Sequence, residues 1–83
     1  MPVISSFFGI EISIFKNDHN PPHIHVAFQN KEALVLISDG TLIKGDSIPH
    51  TQIKKLKKWL NLHRTELYEM WEKGVFIKLE PLK

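Results

Sequence analysis

The apolar residues of this 83-residue chain change their period once, near Pro49. Before it, Ile10, Ile12 and Ile14 alternate with Glu11 and Ser13, the two-residue rhythm of a half-buried strand. After it, Ile53, Leu56, Leu60, Leu67 and Met70 recur at spacings of three, four, seven and three, which is one stripe of a helix. A chain patterned this way predicts strands first and one helix last.

The strand half divides at turn signals. A short apolar run from Val3 to Phe8 closes at Gly9, and the alternating isoleucines follow. Asn17-Asp18-His19-Asn20-Pro21-Pro22 must interrupt any ladder, because proline lacks the donor. Ile24, Val26 and Phe28 then fall on one face, with His23, His25 and Ala27 on the other. Gln29 to Glu32 reads as a hairpin connection, and Ala33 to Ile37 as a central strand covered on both faces. Ser38-Asp39-Gly40 is a turn, and Thr41 to Ile43 a short strand ending near Gly45. The helix is expected over about 50–72, with Ser47 or Thr51 as cap, Pro49 in its first turn, a bend or break near Asn61, and Gly74 as its stop. Val75, Ile77 and Leu79 suggest a closing strand. The prediction is one α+β domain over 1–83: an antiparallel meander of four or five strands, one long helix packed on one face, and a candidate C-terminal strand.

Size and composition narrow the function classes. The chain contains no cysteine, which excludes disulfides and thiolate metal sites. No run approaches a membrane span, and no basic segment leads into an apolar stretch at the N-terminus, so a cytoplasmic protein is expected. The net charge of +2 is unevenly spread. Lys44, Lys54, Lys55, Lys57, Lys58 and Arg64 face Asp46 alone within residues 44–64, a basic block suited to an anionic partner such as RNA. Lys54, Lys55, Lys58 and Arg64 are the candidate phosphate-holding residues; the competing reading is a solvated helix face. The helix charges also oppose its dipole, with lysines early and Glu66, Glu69 and Glu72 late, which suggests association with a neighbouring molecule.

Three of the five histidines lie within seven residues, His19, His23 and His25, beside Asp18. His63 occupies the helical stripe between Leu60 and Leu67, where an apolar residue is due, and would approach the sheet histidines if the helix covered their face. Three readings compete. His19, His23 and His25 could ligate a divalent metal such as zinc, nickel or iron, with Asp18 or His63 nearby. Alternatively, Asp18, His19, His23, His25 and His63 supply a general acid and base for metal-free RNA cleavage, one taking the 2′-hydroxyl proton and another protonating the leaving oxygen. The third reading is structural: the polar residues cap a turn or meet a partner. Trp71 is expected in the core, and Trp59 at its edge or in an interface.

Met1-Pro2-x-Ile4-Ser5-x-Phe7-x-Gly9-Ile10, Asp18-His19-x-Pro21-Pro22-His23-x-His25 and Trp59-x-x-x-His63-Arg64-x-Glu66-Leu67-x-x-x-Trp71 resemble a family of small bacterial proteins known only as domain of unknown function four-one-six-zero. The resemblance spans nearly the whole chain. It implies the toxin role in a two-gene type II toxin–antitoxin module, with a cognate antitoxin encoded by an adjacent gene. It marks Asp18, His19, His23, His25 and His63 as matching polar motif positions, and supplies no reaction. The expectation is a toxin that cleaves RNA or otherwise blocks translation. The alternative is a non-catalytic protein that binds a partner, regulates its operon or holds a metal through histidine.

Overall fold

The computed structural model describes residues 3–15 and 21–82. Five strands and one helix follow in order: β1 (Val3–Phe7), β2 (Ile10–Ser13), β3 (His23–Phe28), β4 (Lys31–Leu36), β5 (Leu42–Gly45) and α1 (His50–Lys73). The strands form one sheet in sequence order, every neighbour antiparallel. This is the predicted α+β meander. Among the described residues, no helix is long and apolar enough to cross a membrane.

Tight turns fix the register. Phe8 and Gly9 both take positive φ, 48° and 79°, as a two-residue hairpin of matching twist requires. Phe8 is an uncommon side chain for that conformation, and Gln52 of the helix holds the turn by donating to the Phe8 carbonyl at 2.6 Å. Phe28 opposite Lys31 closes the second hairpin on Gln29 and Asn30 alone, shorter than the four-residue connection expected. Gly45, at φ 105°, lies so close to Glu32 that a Cβ there would strike its carbonyl oxygen.

The helix covers one face of the sheet. Ile10, Ile12, Ile14, Ile24, Val26, Val35 and Ile37 pack against Leu56, Trp59, Leu60, Leu67 and Met70. β4 is not covered on both faces: Ala33 and Val35 are buried, whereas Leu34 and Leu36 on the other side are half-buried. The helix does not break near Asn61; it runs unbroken for 24 residues. Pro49 is its N-cap, with no side-chain cap bond, so neither Ser47 nor Thr51 has the expected role. Gly74 ends it in the left-handed conformation, its N–H donating to Met70 O at 2.9 Å.

The two tryptophans exchange their expected roles. Trp59 is wholly buried and donates its indole N–H to Glu80 O at 2.9 Å, while Trp71 is half-buried. The closing strand does not form. Leu79 N–H donates to Ile4 O at 2.7 Å, but residues 74–82 contain no strand. Leu79 is buried while Val75 and Ile77 face solvent, so the apolar alternation does not settle on one face.

Candidate functional site on the open sheet face

β3 begins directly after Pro21-Pro22, and its alternation sends Ile24 and Val26 into the core and His25 and Ala27 to the uncovered face. His23 is buried, and its Nδ1 lies 2.8 Å from Pro21 O. Since a carbonyl can only accept, Nδ1 carries the proton. The His23 ring also stands 5.2 Å from Trp71 and 5.4 Å from His25, centroid to centroid. His25 is half-buried, with Phe15 edge-on at 4.0 Å.

The ladder lays two rows across this face. Ser13, His25, Leu34 and Lys44 are successive cross-strand partners from β2 to β5. Glu11, Ala27 and Glu32 form the next row. Together with Phe15 and Gly45 these residues line a cavity of about 410 Å³. Its volume suits a small ligand, a nucleotide unit or an inserted side chain. The wall combines an imidazole, a hydroxyl, an ammonium and two carboxylates over an apolar floor. Sequence reasoning missed Glu11, Ser13 and Glu32, and counted Lys44 in the basic block without placing it beside His25. Glu11 and Ser13 share the polar phase of β2, a signal that could have found them once β2 was paired with β3.

The remaining candidates lie elsewhere. His63 sits on the Trp59 ring at 5.1 Å and pairs its Nδ1 with Glu66 Oε1 at 2.9 Å. It borders the C-terminal segment at Ile77 to Pro81, on the helix layer, away from the His25 cavity. The expected convergence of His63 with the sheet histidines does not occur, because the helix covers the Ile24 face. Arg64 donates from Nε to Ile37 O at 2.9 Å and so ties the helix to the end of β4. Lys54 and Lys58 are exposed on the helix, and Lys55 lies over the Phe8 ring at 4.6 Å. These cations belong to the layer opposite the cavity.

Asp18 and His19 lie outside the described residues, and with them the expected three-histidine metal set. Among the described residues, no three His, Cys, Asp or Glu side chains come together as a metal would need.

No curated protein and no solved structure matches this chain at a significant level. A family profile does, over residues 9–72, which include the whole of β2 to β5 and most of the helix. The chain therefore belongs to the family described as Domain of unknown function (DUF4160).

Proposed function

We propose that this chain is the toxin of a bacterial type II toxin–antitoxin module, acting in the cytoplasm by metal-free acid–base cleavage of RNA, and that His25 is its working group. The carrying observation is the row Ser13–His25–Leu34–Lys44 along a cavity of about 410 Å³. His25 and Lys44 are two strands apart, about 10 Å at the backbone, a span that a lysine side chain reaches across. In such a reaction the 2′-oxygen bonds to phosphorus as the bond to the 5′-oxygen breaks. His25 takes the 2′ proton, and Lys44 offsets charge on the non-bridging oxygens. The second proton, for the departing 5′-oxygen, comes from the Lys44 ammonium, with the Glu11 and Glu32 carboxylates in the next row of the same cavity. His23 positions β3 and the neighbouring imidazole.

A second reading is favoured by those same carboxylates. Glu11 and Glu32 flank Ala27 and would receive a basic side chain of a partner protein, the cognate antitoxin, without catalysis. Expression of single variants separates the two. Loss of growth arrest and of RNA cleavage in His25→Ala and Lys44→Ala supports catalysis. Full arrest in both, with antitoxin binding lost in Glu11→Gln and Glu32→Gln, supports the binding reading.

A further inference from the structure

Four large apolar side chains stand exposed on the helix layer and its borders: Phe8, Leu62, Val75 and Ile77. Leu62 is 68 % exposed and sits at the middle of the 24-residue helix. Counting outward from it, Lys58 lies four residues before and Glu66 four after; Lys55 lies seven before and Glu69 seven after. These five positions follow one another at spacings of three, four, four and three, so they form one stripe. The stripe reads the same in both directions, except that the charge changes sign at Leu62.

A stripe of that kind is self-complementary. Turn a second copy end for end against it, and Leu62 meets Leu62, Lys58 meets Glu66, and Lys55 meets Glu69, each contact occurring twice. The flanks agree. Phe8 lies beside Lys55, with the ammonium 4.6 Å from its ring. Val75 and Ile77 line a groove with Glu66, Glu69 and Met70 at the other end. In the antiparallel arrangement the flank beside the stripe stays on the same side, so Phe8 of one copy reaches Val75 and Ile77 of the other. The arrangement also answers the unfavourable charge order along the helix: each N-terminal lysine group would face the acidic, dipole-negative end of its partner.

We infer that α1 is the contact surface of a two-fold antiparallel homodimer, with Leu62 on the symmetry axis, flanked by Lys55–Glu69 and Lys58–Glu66 pairs. This surface is distinct from the His25 cavity, and the inference stands independently of the proposed activity.

Sedimentation equilibrium of the full chain at about 1 mM, where small interfaces still register, tests it. The expected weight-average mass approaches twice the 9.6 kDa protomer and falls as salt is raised. Leu62→Glu returns the mass to that of the protomer, and in dilute solution, where the parent is also monomeric, it leaves the melting temperature unchanged because the side chain is exposed. Two charge variants test the register. Lys55→Glu/Lys58→Glu and Glu66→Lys/Glu69→Lys should each be monomeric alone and form a one-to-one dimer when mixed. A wild-type chain that stays monomeric overturns self-pairing and leaves the stripe to a partner of another sequence. A dimer indifferent to Leu62→Glu and to both charge variants overturns the choice of surface.

Discussion

His23 and His25 hold their ring centroids 5.4 Å apart, yet only His25 borders the open-face cavity. His23 is buried against Trp71, with Nδ1 engaged by Pro21 O. Two imidazoles that are nearly equivalent in sequence therefore have different physical roles, one positional and one facing a cavity.

Substitution should separate these roles. His23→Ala removes a buried hydrogen bond and the packing on Trp71, and should lower stability by about 1–3 kcal/mol. His25→Ala, half-buried at an open face, should stay within about 1 kcal/mol of the parent. Denaturant unfolding of both variants checks the order.

Arg64 should behave as a structural cation. Arg64→Ala loses the bond to Ile37 O and should cost about 1–2 kcal/mol. RNA binding should change no more than the folded fraction does. Thermal melts beside a salt-dependent binding titration measure both; a loss of binding in fully folded protein would return Arg64 to the phosphate-holding set.

Trp59→Phe keeps most of the ring packing and deletes the N–H that meets Glu80 O. The expected cost is about 1–2 kcal/mol, with amide exchange accelerated across residues 75–82 more than in the sheet. Equal acceleration everywhere would mean that this bond does not anchor the C-terminal segment.

Gly45→Ala should destabilise by about 1–3 kcal/mol, since the position combines φ 105° with a clash against Glu32. Because Gly45 pairs with Ala33 beside Lys44, the same variant should disturb the cavity wall. Unfolding and the amide spectrum of β4–β5 report the two effects.

Asp39 sets a pH dependence of known sign. Hydrogen bonds from Thr41 hold its carboxyl below the ordinary aspartate value, its backbone N–H donating at 2.9 Å, with a smaller contribution from the Lys57 charge. A depressed folded value means a contribution present at neutral pH and lost as pH falls through it, below about 4. Asp39→Asn should therefore flatten the acid limb of the stability curve there. An unchanged limb would remove Asp39 from that role.

Much of this architecture was legible before any coordinates. The isoleucine alternation of β2, the stripe from Ile53 to Met70 and the Gly74 stop are local signals, and local hydrogen bonding honours them. The covered face was left open: Ile24, Val26 and Phe28 are the apolar phase of β3, and the helix packs on that phase and turns His63 away from His25, against the expected convergence. What could not be read was the pairing across residues 16–22. That register alone brings Ser13 and Glu11 level with His25 and Ala27. Lys44 depends further on the irregularity between Leu34 and Val35. The absent closing strand has a similar cause: Leu79 N–H donates to Ile4 O and Glu80 O accepts from Trp59, tertiary contacts in place of a ladder.

The proposed toxin activity requires His25 as the working group of the open face. Expression of His25→Ala without any antitoxin, with the folded state verified by circular dichroism, measures this most directly. A stable protein that no longer arrests growth or cuts RNA is expected; full arrest by the folded variant would take that role away from His25.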